Sequence, residues 1–344
     1  MRNRPTSIPP ILQPVFLFCV QSEVEKTMTL VGIQDPVRML LLSVIICFAS
    51  FLHPSVSNRF LPAKPKPVDI NYSCLRIVSE LGGNDDVPII LIHGLASGKE
   101  TWSGVKEVLA FKTLKKVCVV DLRNHGESPW SNEVDVGAMA EDIIHLLDKL
   151  EAKKAVLVGH SMGGKTAVHV ALNYPERVDK LIVEDMRPNG LSDESFRQVV
   201  LFANVLNNAT NLIPQGVTEK EAKEIFQIRL NERLKEVNSF VSFEKSDTIP
   251  IKCLNRKCQW TINPALIQKL LKDIKDVWIP SSGRFDKPTL FIYGMESDFK
   301  VEEDERNIKE LFPNAQIVGV KGAGHGVHGF PEFVNEAIKL INGK

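Results

Sequence analysis

A serine, a histidine and a carboxylate recur in this chain at places where an acyl-transfer site could be assembled from them. Ser161 sits in LVGHSMGGK (157–165), inside a Gly159-x-Ser161-x-Gly163 pattern. A serine hydroxyl is a weak nucleophile and needs an imidazole to take its proton, held by a third group. Of eight histidines, His325 in GVKGAGHGVHGFPEF (319–333) is the one set in a glycine-rich loop between an apolar run and the final amphipathic segment. His328 follows three residues later as a neighbour that shapes the site, and His160 packs along the turn beside the serine. Two carboxylates could orient the imidazole: Asp185 after KLIVE and Asp298 in GMESDFK. Both follow strand-like runs, and the residues alone leave the choice open. Oxyanion donors would be the backbone N–H of Met162, opening the helix after the serine, and of Leu95 in HGLASGKETW (93–102). Asp121, Arg123 and His125 in DLRNHGES read as a structural turn beneath the site. The chemistry needs neither cofactor nor metal.

A G-x-S-x-G pattern is informative only between a strand and a helix, where a sharp turn presents the serine at a sheet edge. KAVLVG precedes it as an apolar run and GGKTAVHVALNY follows with helical spacing, stopping before Pro175. VPIILIHG (87–94) and KVCVVD (116–121) are continuous apolar runs, as expected of strands covered on both faces. VGAMAEDIIHLLDKLE (136–151) repeats apolar positions at helical spacing, and VDKLIVED (178–185) is a further strand. PVDINYSCLRIVSE reads as a short strand or hairpin, and a helix is expected from Thr101, with Trp102 inward. Alternation resumes with PTLFIYG, VEEDERNIKELF, AQIVGV and PEFVNEAIKLI. This order predicts an α/β fold with a mostly parallel sheet and helices on both faces. Residues 190–283, mostly helical and charged in character, form an insertion placed to act as a lid.

At 344 residues and 44% hydrophobic the chain can bury a large core. Forty-two basic and forty-two acidic residues balance, which gives no basic surface for nucleic acid. Residues 1–66 differ, with seven Lys/Arg against three Asp/Glu. They contain the uncharged run MLLLSVIICFASFL (39–52), shorter than the roughly 20 residues of a spanning helix. This segment reads as targeting or anchoring sequence with a proline-rich linker, and the fold is expected over 67–344. A mitochondrial presequence and a membrane anchor or secretory signal through 39–52 are both compatible with it. The scattered Cys19, Cys47, Cys74, Cys118, Cys253 and Cys258 read as free or buried thiols, which favours a reducing compartment.

HGLASG, DLRNHGESP, GHSMGG and GAGHGVH stand in an order that resembles the α/β-hydrolase superfamily across about residues 68–344. DLRNHGESPW, GHSMGGKTA, VEDMRP and the Trp260-x-x-Asn263 stretch of QWTINPALIQKLL are similar to one branch. It holds α/β-hydrolase domain-containing protein 11, YbfF-like esterases and ethanol acetyltransferase-like enzymes. The resemblance implies Asp185 as the acid, although Asp298 occupies the position used by most other superfamily members. It implies hydrolysis of acyl esters or lipids such as diacylglycerols, with acyl transfer on the same residues as the alternative. It also implies a mitochondrial address and a link to the 2-oxoglutarate dehydrogenase complex. A non-catalytic binding protein of this fold is a further alternative, disfavoured because all three positions are filled. Dehalogenase and epoxide hydrolase chemistry is disfavoured because both use an aspartate where Ser161 stands.

Overall fold

The computed structural model describes residues 64–77, 87–189, 191–239, 241–243, 245–274, 278 and 281–343. Apart from Lys64, these all belong to one compact unit, Pro65–Lys344. The apolar run 39–52 lies outside the described residues. Among the described residues, no helix is long and apolar enough to cross a membrane.

Seven strands form the central sheet: β1 (Tyr72–Leu75), β2 (Ile89–Ile92), β3 (Val117–Val120), β4 (Ala155–His160), β5 (Val178–Glu184), β8 (Thr289–Gly294) and β9 (Ala315–Val320). Their spatial order is β1-β3-β2-β4-β5-β8-β9, with β1 antiparallel to β3 and every other pairing parallel. The sequences IILI and VCVV are buried at every position, as expected of strands covered on both faces. The crossover helices include α1 (Val105–Thr113), α2 (Val136–Lys149), α3 (Met162–Asn173) and α7 (Glu305–Leu311), and α8 (Pro331–Asn342) follows the last strand. Asp135 starts α2 by accepting the Ala138 N–H at 2.9 Å, one of the four donors a helix N-terminus leaves unpaired. Trp102 is fully buried, as expected, but within a single 3₁₀ turn (Lys99–Trp102) that precedes α1.

Between β5 and β8 the chain leaves the sheet for α4 (Asp193–Asn207), α5 (Glu219–Glu236) and α6 (Pro264–Lys272). A hairpin of β6 (Ile251–Leu254) and β7 (Lys257–Trp260) interrupts these helices, which the helical reading of the segment did not anticipate. Lys165 of α3 is buried and donates to Pro188 O and to Ser281 Oγ, while Asn189 Nδ2 donates to Ser281 O at 2.7 Å. These bonds join the two points where the insertion departs and returns.

The free-thiol reading is corrected. Cys74 and Cys118 lie opposite each other in the β1–β3 register and are joined in a disulfide, as are Cys253 and Cys258 across the β6–β7 hairpin. The inference of a reducing compartment, which rested on free thiols, falls with it. Cys19 and Cys47 lie outside the described residues.

The turn after β3 is structural, as the sequence implied. Arg123 is fully buried and its guanidinium grips Asp142 of α2 through two bonds of 2.6 Å, while Asp142 Oδ1 also accepts the Val68 N–H at 2.7 Å. Removing one partner would strand a buried charge. Asp142→Ala is therefore expected to lower unfolding free energy by about 3–5 kcal/mol, seen as a lower denaturant midpoint. An unchanged midpoint would contradict the pair's burial.

Candidate active site

The end of β4 carries the serine. Ser161 has φ 52° and ψ −118°, a strained conformation for a residue with a side chain, and is 6% exposed. The turn is tight enough that a Cβ on Gly159 would lie 2.3 Å from Gly163 O, and one on Gly163 the same distance from Ile92 O. Both positions therefore need glycine. The Ser161 N–H donates to Glu184 O at 3.0 Å, fixing the elbow to β5. Met162 begins α3, so its N–H is among those with no acceptor within the helix.

His325 lies in the loop after β9. Its Nδ1 is 2.6 Å from Asp185 Oδ2. Asp185 follows β5 directly, is fully buried and has φ 47°. Its carboxylate also accepts the Ser297 hydroxyl at 2.5 Å and the Gly294 N–H at 3.1 Å. The other candidate, Asp298, accepts the Ser195 hydroxyl through its backbone carbonyl at 2.7 Å. Phe299, one residue on, stacks on the His325 ring with centroids 4.3 Å apart and planes 8° from parallel. That ring was not singled out from sequence, although SDFK places it beside the second aspartate.

Ser161, His160, His325 and Leu95 line one cavity of about 290 Å³. Val199 and Phe202 of α4, with Phe243 and Trp278, close it from the insertion and supply an apolar wall. The insertion is also tied to the turn after β3. Asn263 donates its backbone N–H to Asn124 O at 2.9 Å and its amide to Asn124 Oδ1 at 2.8 Å. The Trp260-x-x-Asn263 stretch thus has a physical reason, since Asn263 also caps α6.

Histidine rings pack in two groups near the serine, His93 against His125 at 5.0 Å and His160 against His325 and His328 at 4.7 and 5.2 Å. His93 donates from Nδ1 to Gly94 O and accepts the Leu122 N–H at Nε2, 3.0 Å away, which fixes its tautomer. Burial holds His93 below the usual histidine range and drives His125 and His160 down to about 3. His160, Glu184 and His328 each bring a donor atom within 4.8 Å of one another, the one such group among the described residues that could hold a metal ion. Glu184 Oε1, however, already takes both the backbone N–H and the Nδ1 of His328, each at 2.7 Å.

These rings set a pH dependence. In the unfolded chain they bind protons below about 6.5, and in the fold His125 and His160 do so only near 3. The unfolded state therefore holds more protons between these values, and stability falls as pH drops below about 6.5. The denaturant midpoint is expected to decline from pH 7 to pH 5. A constant midpoint over that interval would contradict the neutral burial of these rings.

Sheet, elbow and cavity define an α/β hydrolase, and the chain belongs to that family: the sequence profile of the α/β-hydrolase fold matches residues 87–331. Among curated relatives, the sn-1-specific diacylglycerol lipase ABHD11 of Danio rerio is 31% identical over 80% of this chain and 83% of its own length. Ethanol acetyltransferase 1 of Eremothecium cymbalariae is 28% identical over 81% of this chain and 83% of its own, and esterase YbfF of Escherichia coli 29% over 74% and 93%. The fold also matches a solved marine microorganism esterase with a TM-score of 0.61 at 24% identity, covering 79% of this chain and 99% of that one. The lipase and esterase names among the relatives support an ester-cleaving hydrolase.

Proposed function

We propose that this chain is a serine ester hydrolase that deacylates lipid or small acyl esters through an acyl-enzyme. The observation that carries the reading is the 2.6 Å contact between His325 Nδ1 and the buried Asp185, beside the cavity that also holds Ser161. With Nδ1 given to Asp185, Nε2 is the nitrogen that takes the Ser161 proton as Oγ attacks the ester carbonyl carbon. The Leu95 and Met162 N–H groups stabilise the tetrahedral oxyanion. Collapse releases the alcohol, which leaves with the proton from His325. Water, deprotonated by the same imidazole, then attacks the acyl-enzyme, releasing the acid and restoring the serine.

The 190–283 insertion serves as the lid. Val199, Phe202 and Phe243 give the cavity an apolar wall suited to an acyl chain, and Lys245 of the same insertion also lines it. The diacylglycerol lipase name of the 31% identical relative points to glycerolipid esters as the substrate class. Acyl transfer to an alcohol is a second reading, favoured by the likeness to ethanol acetyltransferase 1. The two differ only in what resolves the acyl-enzyme. A mitochondrial site of action rests on the basic N-terminus and the family resemblance.

The test is hydrolysis by the full chain of a chain-length series of p-nitrophenyl esters and of diacylglycerol, with ethanol added in a parallel arm. Free acid released from these esters is the expected result. Ethyl ester as the main product would favour the transferase, and no turnover by folded protein would refute both readings.

A further inference from the structure

Glu184 stands next to Asp185 at the end of β5, and it is fully buried. β5 ends at Glu184 and the chain turns at Asp185, whose φ is 47°. The two neighbouring carboxylates each meet an imidazole of the same loop. Asp185 holds His325 at 2.6 Å and Glu184 holds His328 at 2.7 Å, three residues further on. Glu184 does more than pair. Its carboxylate also accepts the His328 backbone N–H at 2.7 Å, and its own carbonyl accepts the Ser161 N–H at 3.0 Å.

His160 closes the arrangement. Its Nε2 is 3.0 Å from His325 O, and its ring lies 4.7 Å from that of His325 and 5.2 Å from that of His328. Burial pushes the Glu184 carboxyl up, but His328 and His160, with the two bonds from His328, bring it down to about 2. The two bonds from His328 favour its ionised form. Hydrogen bonds to a buried charge are the stronger and more directional kind.

We propose that Glu184 is a positioning residue of the reaction: through its carbonyl it fixes the backbone of Ser161, and through its carboxylate it fixes the loop carrying His325. One buried residue thereby sets the spacing between the serine and its imidazole, and His328 is the second half of that clamp. The proposal rests on the reading of Ser161 as nucleophile and His325 as base. It adds a requirement those two residues do not state.

The experiment compares the full-length wild type with Glu184→Gln and His328→Asn, using p-nitrophenyl butyrate turnover and the rate of fluorophosphonate labelling. Glutamine keeps the size and one acceptor oxygen but removes the charge. Both variants are expected to lose about 10- to 100-fold in kcat, by analogy with the loss of hydrogen-bonded partners that orient metal-binding histidines. KM should stay within about threefold and labelling should slow in proportion. The double variant should lose little more than the worse single, because the two act as one contact. Where Glu184→Gln does not fold, Glu184→Asp keeps the charge on a shorter arm and is read the same way, with a partial loss expected. A folded variant with turnover within about twofold of wild type would overturn the proposal, as would a lower unfolding midpoint with unchanged kcat per labelled site. Failure of the wild type to label would refute the underlying serine-hydrolase reading instead.

Discussion

Ser161→Ala is expected to lower kcat for ester hydrolysis by at least about 10⁴-fold, the scale on which removing an activated serine acts in other hydrolases. The loss should fall on turnover, because the cavity walls that bind the acyl group are untouched. Stability should barely change. The substitution removes one hydroxyl from a residue that is 6% exposed, and both its backbone bond to Glu184 and its φ of 52° can persist. A variant that keeps more than a few per cent of wild-type turnover would place the nucleophile elsewhere.

The second large effect separates the two aspartates. Asp185→Asn is expected to cost about 10⁴-fold in kcat, the loss that the same exchange produces in a serine triad by favouring the wrong imidazole tautomer. The Asp185 carboxylate accepts three donors, from His325, Ser297 and Gly294, and an amide cannot accept all three in the same geometry. Asp298→Asn should stay within about tenfold of wild type, because the bond from Ser195 reaches the Asp298 backbone, which the exchange preserves. Turnover measured on both folded variants decides it, and a larger loss from Asp298→Asn would reverse the assignment.

The sheet was legible because its strands are covered on both faces. IILI and VCVV read as unbroken apolar runs, and G-x-S-x-G between a strand and a helix has few other meanings. The acid was harder. Asp185 and Asp298 both follow strands, and what distinguishes them is loop geometry: a positive φ at Asp185, and Ser297 turned back onto its carboxylate. Position after a strand end, one residue past β5 for Asp185 and four past β8 for Asp298, carries none of that.

Pairing across strands was the other blind spot. Cys74 and Cys118 are 44 residues apart, and only the antiparallel register of β1 on β3 sets them opposite each other. The β6–β7 hairpin did leave a trace. IKCLNRKCQW has a two-residue Asn255-Arg256 turn with both residues at positive φ, between flanks that alternate in burial. The charged helix signal of its surroundings masked it. Glu184 gave no signal at all, since a carboxylate beside another at a strand end reads as solvated until the loop with His328 is seen to cover it.

The most direct test of the account is covalent. The full-length wild type, treated with a fluorophosphonate probe and digested, is expected to yield a single modified peptide, carrying the adduct on Ser161 within LVGHSMGGK; Ser161→Ala should remain unlabelled. An adduct on another residue, or a folded wild type that does not react while a control serine esterase does, would contradict the assignment of Ser161 as nucleophile and with it the proposed function.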